Sequence, residues 1–226
     1  MTRQPIAFFA ALPLLAFATG ALADADTSLG IRAGTLGGGL ELSHALSPHV
    51  GLRLNADAYN RSGSSSQHDV DYDYKLRLRT AGLTADWFPF ANNFRLSLGG
   101  LWNGNKIKLH GKPSGGATYT INGQTFAAAE VGSLDGDVDF NKVAPYLGLG
   151  YGRPINRGLS VTFDAGVLYQ GSPKSKLTAT CGAAIAGTPE CTRLQNAATD
   201  EQSSLDDSLK KYKYYPVLAL GLAYTF

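Results

Sequence analysis

The stretch LSVTFDAGVLYQ, residues 159–170, decides the fold because the character of its side chains alternates along its length. A period of two is the period of a β-strand, in which successive side chains point to opposite faces of the sheet. One face is apolar and the other is small or polar. The apolar set is Leu159, Val161, Phe163, Ala165, Val167 and Tyr169, and the other set is Ser160, Thr162, Asp164, Gly166 and Gln170.

The same alternation recurs over residues 50–58, 143–151 and 218–226. These segments are longer than the usual 5–6 residues of strands in globular sheets. Their second face consists mostly of Gly, Ala, Ser and Thr, whereas a water-facing strand would carry Lys and Glu. A soluble sandwich buries its apolar face, but a membrane barrel turns that face to lipid and keeps small or polar residues in its lumen. We therefore predict an all-β protein, a transmembrane antiparallel up-and-down β-barrel.

The composition agrees with this architecture. Of 226 residues, 27 are glycine, 44% are hydrophobic and only 17% are charged. Small residues suit the narrow interior of a small barrel. The mean hydropathy of −0.09 argues against a helical membrane protein, and the net charge of +2 gives no electrostatic reason to expect a nucleic-acid partner.

The N-terminal segment 1–23 has the pattern of a secretory signal peptide. Arg3 provides the positive charge, residues 6–17 are apolar, and Ala21-Leu22-Ala23 forms a cleavage site. The apolar run is too short for a membrane anchor, which needs about 20 residues. The pattern predicts a mature barrel domain of residues 24–226.

The two cysteines, Cys181 and Cys191, lie close together in a polar stretch of small residues. A metal site needs more soft ligands, and no histidine lies nearby. In an exported protein such a pair predicts a disulfide that closes a short loop.

The connections between predicted strands alternate in length. Residues 46–49, 88–93 and 153–158 are short turns, whereas the long loops cover about 61–68, 110–142 and 171–211. Outer-membrane barrels have short periplasmic turns and long extracellular loops. Eight strands place both termini in the periplasm, if the N-terminal segment forms two strands and not one strand kinked by glycine. The alternative is ten strands, with residues 119–126 in the wall, but the Asn122-Gly123 turn signal there favours a hairpin that protrudes from the long second loop.

One hairpin can be aligned from its apolar pattern. Pairing residues whose numbers sum to about 181 places Trp87 beside Phe94 and Lys75 beside Lys106. The apolar phase of both strands reverses near residues 79 and 105. Matched β-bulges would restore the register after the reversal; alternatively, the strands leave the membrane there.

Charged residues on the small-residue face should point into the barrel. Charges in such a narrow interior must be paired, so they form either an ion-pair plug or the lining of a narrow ion path. An eight-stranded interior is just wide enough for side chains to fill it, which favours the plug. The predicted lumen charges are Glu41, Arg53, Asp57, Asp86, Arg95 and Asp164.

A second charged cluster lies near the loops. Its acidic residues share a face with basic ones, which predicts either a self-neutralising solvated hairpin or a grip on lipopolysaccharide phosphates. The acidic residues are Asp69, Asp71 and Asp73, and the candidate phosphate contacts are Lys75, Arg77, Arg79, Lys106 and Lys108.

Aromatic residues at both strand ends predict interfacial girdles. The lower girdle comprises Trp87, Phe88, Phe90, Phe94, Tyr224 and Phe226, and the upper girdle comprises Tyr59, Tyr72, Tyr74, Trp102, Tyr169 and Tyr214.

Few residues have the pattern of a catalytic site. Ser43 and His44 are adjacent in a strand and therefore point to opposite faces. The other histidines, His49, His68 and His110, lie in or near turns and loops. No nucleotide-binding or zinc-hydrolase motif occurs. We therefore expect no enzymatic activity, no metal site and no cofactor.

Several segments resemble the small outer-membrane β-barrel proteins of Gram-negative bacteria, the OmpA/OmpW-like and opacity-like group, and within it one proteobacterial family. The resemblance implies this fold and an outer-membrane location. The segments are Gly34-Thr35-Leu36-Gly37, Asp86-Trp87-Phe88-Pro89-Phe90, Thr120-Ile121-Asn122-Gly123 and Ala144-Pro145-Tyr146-Leu147-Gly148-Leu149-Gly150.

The C-terminal Leu222-Ala223-Tyr224-Thr225-Phe226, after Gly221, resembles the signal read by the barrel assembly machinery. The resemblance implies that Gly221, Leu222, Tyr224 and Phe226 carry that signal.

These patterns predict a monomeric outer-membrane barrel with a structural and surface-interaction role through residues 110–142 and 171–211. Its expected partners are membrane lipid, lipopolysaccharide and, during insertion, the assembly machinery. The alternatives are a narrow porin-like channel for small or hydrophobic solutes and, less expected, a lipid A-modifying enzyme.

Overall fold

The computed structural model describes residues 26–67, 70–113, 118–155 and 157–226. The expected signal peptide at 1–23, His68 and Asp69 therefore lie outside the described residues. The strands are β1 (Thr27–Gly34), β2 (Gly37–Ser47), β3 (Val50–Gln67), β4 (Val70–Trp87), β5 (Phe94–Asn103), β6 (Lys106–Pro113), β7 (Thr118–Ile121), β8 (Gln124–Ala127), β9 (Val131–Asp139), β10 (Val143–Tyr151), β11 (Gly158–Tyr169), β12 (Lys174–Cys181) and β13 (Tyr214–Thr225), and the helix α1 is Pro189–Leu209.

Eight of these strands form a closed antiparallel barrel in the order β1-β2-β3-β4-β5-β10-β11-β13, and β13 pairs with β1 to complete it. This confirms the predicted eight-stranded barrel. The N-terminal segment forms two strands that meet in a turn at residues 35–36. The hairpin β7–β8 forms a separate sheet and does not extend the wall.

The outside of the barrel carries an apolar belt. Among the described residues, no helix is both long and apolar enough to cross a bilayer. Leu98 and Leu147, for example, are 64% and 65% exposed. A contiguous band of this kind is larger than a water-soluble monomer exposes and is typical of a lipid-facing barrel wall. Each wall strand contributes to it, through Ile31, Leu40, Leu54, Leu83, Leu98, Leu147, Val161 and Leu220.

Above the barrel, one side of the wall continues as a five-stranded sheet, here called the upper sheet, in the order β12-β9-β6-β4-β3. β6 extends β5 upward along β4, and β9 extends β10 along β6. The expected long connections 61–68, 110–142 and 171–211 lie on this side of the barrel, and they carry more regular structure than expected. They supply the end of β3, part of β6, the strands β7, β8, β9 and β12, and α1.

The reversal of the apolar phase in β4 involves no bulge. β3 and β4 pair without a register shift from Val50 with Trp87 to Gln67 with Val70. Leu76 and Leu78 therefore lie on the inner face of the same strand that turns Leu83 to the outside. The strands leave the membrane here, and their apolar side changes from the outer to the inner face.

The expected pairing of the β4–β5 hairpin is wrong by two residues. Trp87 pairs with Leu96, and Lys75 pairs with Lys108. The turn is wider than assumed, because Phe94 is already beyond the end of β4 and pairs only with β10. A shift of two residues leaves every side chain on its expected face.

The helix α1 packs against the inner face of β12 and β9. Leu194, Ala197 and Ala198 are buried there with Phe126 of the β7–β8 hairpin. The predicted disulfide between Cys181 and Cys191 is confirmed and joins the end of β12 to the first turn of α1. This helix was not expected from the sequence, although Pro189 at its first position is a typical start signal.

The last turns of α1 protect the free edge of the upper sheet. Asp206 accepts hydrogen bonds from the backbone N–H and the hydroxyl of Ser175, at 2.6 and 2.7 Å. Gln202 accepts another from the backbone N–H of Leu177 at 3.0 Å. These side chains occupy donors that an open edge strand would offer to another chain.

We expect Asp206→Asn to loosen this edge by about 1 kcal/mol, because a charged acceptor of two hydrogen bonds is lost. The hydrogen bonds from Ser175 lower the pKa of Asp206. A carboxyl whose pKa is lower in the folded state stabilises it above the unfolded pKa of about 3.9, and this is lost as the pH falls through the folded value. The protection factors of the Ser175 and Leu177 amides against hydrogen exchange should therefore fall in the variant at neutral pH, and in the parent protein only in acid.

Asp207→Asn is the matched control, because Asp207 contacts Lys210 of the same helix end and not the sheet. Equal acceleration of exchange in the two variants would contradict this role for Asp206.

Candidate functional site

Seven charged side chains lie together inside the barrel lumen, and we call them the lumen network. The structure brings together all six residues expected there and adds Arg32. All seven side chains are at most 6% exposed. The lumen network comprises Arg32, Glu41, Arg53, Asp57, Asp86, Arg95 and Asp164.

Arg53 is the centre of the lumen network. Its Nε and Nη2 donate to the two oxygens of Asp86, both at 3.0 Å, which is the strong bidentate arrangement. Its Nη1 donates to Asp164 at 2.8 Å and to Glu41 at 3.3 Å. Nη2 also donates to the hydroxyl of Ser97 at 3.0 Å. One guanidinium thus joins β3 to β2, β4, β5 and β11.

The other two arginines complete the pairing. Arg95 donates to Asp164 at 2.9 Å. Arg32 donates to Glu41 at 3.0 Å, and its Nε lies 3.1 Å from Asp57. Each carboxylate of the lumen network therefore has at least one guanidinium partner, as buried charges require. Arg32 could have been found from the sequence, since it lies between the alternating apolar residues Ile31 and Ala33.

An apolar layer lies beside the lumen network, on the side of the β1–β2 turn. Leu36, from that turn, is 2% exposed and packs there with Leu101, Tyr146 and Val217. The free space between this layer and Arg53 is about 10 Å³, which is room for about one water molecule. Little free space therefore separates the apolar layer from the charged side chains.

Glycines on the inner face make room for these side chains. A Cβ on Gly166 would lie 2.6 Å from the hydroxyl of Tyr146 and 2.7 Å from the carbonyl oxygen of Leu147. A Cβ on Gly150 would lie 2.9 Å from both Arg95 and Asp164. Part of the high glycine content is thus explained by inner-face positions where a larger side chain would clash with its neighbours.

The aromatic girdles are only partly as expected. Phe88 is 1% exposed, with the guanidinium of Arg153 5.3 Å from its ring centre, so it closes the lower mouth. Tyr59 and Tyr74 continue the inner phase of β3 and β4. The side chain of Tyr72 lies outside the described part of the chain. The residues that do face outward are Trp87, Phe90 and Tyr224 below and Trp102, Tyr169 and Tyr214 above.

The five candidate phosphate contacts share the outer face of the upper sheet. Arg77 pairs with Lys106 across β4 and β6, and Lys75 pairs with Lys108. Arg79 lies next below on β4. On β12, Lys174 and Lys176 extend the same rows, although the sequence analysis did not single them out. We call these seven residues, Lys75, Arg77, Arg79, Lys106, Lys108, Lys174 and Lys176, the basic face.

The histidines of the described chain are dispersed. His44 contacts Thr27 at 2.8 Å, His49 lies in the lower turn after β2, and His110 pairs with Asp135 on the upper sheet. Ser133 donates to the same carboxylate and not to the imidazole. In the described part of the chain, no three His, Cys, Asp or Glu residues are grouped so as to hold a metal ion.

The C-terminal residues occupy the lower end of β13. Leu222 and Tyr224 face outward, and the rings of Tyr224 and Phe226 lie 5.6 Å apart. A Cβ on Gly221 would lie 2.5 Å from Thr162 Oγ1. The expected assembly signal is thus an exposed aromatic end on a closely packed strand.

Comparison with solved structures identifies the architecture. Acinetobacter baumannii CarO is 24% identical in sequence to this chain. The match covers 89% of this chain and 98% of CarO, with a TM-score of 0.57. CarO2 of the same species has the same identity and coverage, with a TM-score of 0.59. A major outer membrane protein from Thermus thermophilus is 15% identical over 88% of this chain and 99% of its own, with a TM-score of 0.45.

The chain therefore has the fold of an outer-membrane β-barrel. No family model and no curated protein matches it. The narrower resemblance to the OmpA/OmpW-like, opacity-like group stays a prediction.

We expect Arg53→Met to lower the free energy of unfolding by about 3–5 kcal/mol, because it leaves buried carboxylates without their shared partner. Arg79→Met removes the same group from an exposed position without an ion pair in the described chain and should change stability by less than about 0.5 kcal/mol. Urea unfolding in lipid vesicles measures both values. Similar losses in the two variants would contradict a central role for Arg53.

We also expect Gly166→Ala to destabilise the barrel by about 1–3 kcal/mol, because the added methyl group meets Tyr146 and a backbone carbonyl. Gly100→Ala is the control, since nothing lies within 4 Å of a Cβ on Gly100. The same unfolding experiment compares them, and a tolerated Gly166→Ala would show that the lumen has spare room.

Proposed function

We propose that the protein is a sealed, non-enzymatic barrel of the bacterial outer membrane, with a structural role in the envelope and a surface-interaction role above it. The observation that carries this proposal is the lumen network, in which Arg53 links four other strands of the barrel. A water-filled pore needs an unfilled interior, and eight strands enclose little more than side chains.

The orientation follows from the two ends of the barrel. The connections from β2 to β3, from β4 to β5 and from β10 to β11 are short and lie at the same end as both ends of the described chain. In barrels of this class short turns face the periplasm. The upper sheet and α1 then stand outside the cell, where they are available for contacts with other molecules.

A channel is less favoured because the lumen has two successive barriers. Ions would first meet the apolar layer around Tyr146 and Leu36, and then the lumen network. Conduction would require the bidentate pair of Arg53 and Asp86 to open, which leaves buried charges unpaired.

A lipid A-modifying activity is also less favoured. Such an enzyme needs a nucleophile next to a base. The Thr27 hydroxyl lies 2.8 Å from His44, but at the lower end of the barrel, away from the outer leaflet that holds lipid A. Near the upper end, the hydroxyl of Ser133 donates to Asp135 and leaves His110 without a nucleophile. The exposed Tyr224 and the half-buried Phe226 beside it suit a role as the signal for the barrel assembly machinery, and we propose that the inserted barrel is a monomer.

The test is conductance in planar bilayers. We expect the refolded protein to show no discrete openings, with a known porin confirming that the membranes report insertion. Discrete openings whose size changes on Arg53 or Asp57 substitution would overturn the sealed lumen.

A double variant, Arg53→Ser with Tyr146→Ser, should produce a small leak, because it shortens one side chain from each barrier. The matched exterior pair, Arg79→Ser with Tyr214→Ser, should stay closed. A leak from the exterior pair would attribute the current to general loosening and not to the lumen.

A further inference from the structure

The basic face is organised in horizontal rows across the upper sheet. In the first row Arg77, Lys106, Asp139 and Lys174 are register neighbours on β4, β6, β9 and β12. In the second row the neighbours are Lys75, Lys108, Asp137 and Lys176. Each row therefore carries three cations and one aspartate, and Arg79 adds a further cation below them.

The charge changes sign higher on the same face. In the third row Asp73, His110 and Asp135 are register neighbours, followed by Thr178. Above that row, Asp71 and Lys112 are register neighbours of opposite charge. Net positive charge is thus concentrated in a band at the base of the upper sheet, whereas a self-neutralising surface would balance the two signs at every height.

The basic face is only partly neutralised by its own aspartates. Lys106 lies 3.2 Å from Asp139, and Lys108 lies 3.2 Å from Asp137. The other five cations of the basic face have no salt bridge within the described residues, and each of their side chains is exposed. Their charge is therefore available to an external anion.

The height of the basic face matches the membrane boundary. Trp102, at the top of the apolar belt, pairs with Ala81 of β4. Arg79 lies two residues above Ala81 on the same outer face, which is about 7 Å along the strand. Tyr169 and Tyr214, with rings 5.4 Å apart, mark the same boundary on β11 and β13. Headgroups of the outer leaflet would therefore contact the basic face directly.

We propose that the basic face binds the phosphate groups of lipopolysaccharide, the phosphorylated glycolipid of the outer leaflet. Arginine and lysine are the side chains best suited to phosphate. The acidic third row would repel phosphates placed higher, which holds the lipid headgroup at the base of the sheet. The inference rests on the proposed membrane orientation but not on the sealed lumen. The conductance test of the lumen and the lipid-binding test of the basic face can therefore give opposite outcomes.

The experiment compares the protein with the variant Lys75→Gln/Arg77→Gln/Arg79→Gln, which removes the three cations of the basic face that lie on β4. Refolded protein in neutral detergent is titrated with purified lipopolysaccharide, and native mass spectrometry counts the lipid adducts. We expect binding by the variant to be weaker by about tenfold or more, because charge-assisted contacts to phosphate are lost. Binding by the parent protein should weaken as salt rises.

Two further variants control for folding and for bulk charge. Lys75→Arg/Arg77→Lys/Arg79→Lys keeps the charge and should retain binding to within a few-fold. Lys112→Gln/Arg157→Gln/Arg193→Gln removes three cations outside the basic face and should bind as the parent does. Heat-dependent gel mobility confirms that each variant is a folded barrel.

The lipid itself is varied to identify the anion. Dephosphorylated lipopolysaccharide should bind as weakly as the Gln variant, and neither inorganic phosphate nor phosphatidylglycerol vesicles should compete at matched phosphate concentration. Unchanged binding by the Gln variant would overturn the proposal. Equal competition by phosphatidylglycerol would also overturn it, since the basic face would then recognise any anionic lipid.

Discussion

The ion pair between Arg53 and Asp164 crosses the lumen from one side of the barrel to the other, because β3 and β11 are four strands apart in an eight-stranded ring. The rest of the wall depends on this contact. A transmembrane barrel cannot use water exclusion to hold its outer surface together, since its apolar side chains face lipid. The ion pairs across the lumen therefore hold the wall strands together, as a hydrophobic core does in a soluble protein. Their burial is tolerated because every carboxylate of the lumen network meets a guanidinium.

Above the membrane the same strands turn their polar side chains outward and their apolar side chains inward, which is the reverse of the wall. In the wall, β4 turns Leu83 outward and Thr84 inward. Above the boundary it turns Arg77 outward and Leu76 inward, without any break in its register. The inversion follows from the solvent, because lipid surrounds the lower half and water surrounds the upper half. The helix α1 then covers part of the inward apolar surface, with Leu194 fully buried against it.

The barrel and most of its lumen charges could be predicted from the sequence, since alternation assigns both faces of a strand at once. Asp164, flanked by apolar neighbours at every second position, is a clear case. The rest lay outside that signal. Phe88 is in a turn, where no period applies, so its burial in the lower mouth could not be anticipated. The helix α1 is largely polar, and its start at Pro189 is a local signal that a search for alternation does not detect. The extension of β4 and its partner strand above the membrane was expected as one alternative from the reversal of the apolar phase, whereas β9 and β12 were not, because their segments were assigned to long loops.

The unequal height of the wall also gives the molecule a front and a back within the plane of the membrane. Five adjacent strands rise above the boundary, whereas the β1–β2 hairpin ends there with Leu36 folded inward. A neighbouring molecule that approaches from one side contacts the charged outer face of the upper sheet. From the other side it contacts little more than the lipid-facing wall. The contacts that the barrel makes with its neighbours therefore depend on its rotation about the barrel axis. In a crowded membrane, such barrels would adopt a preferred rotational orientation.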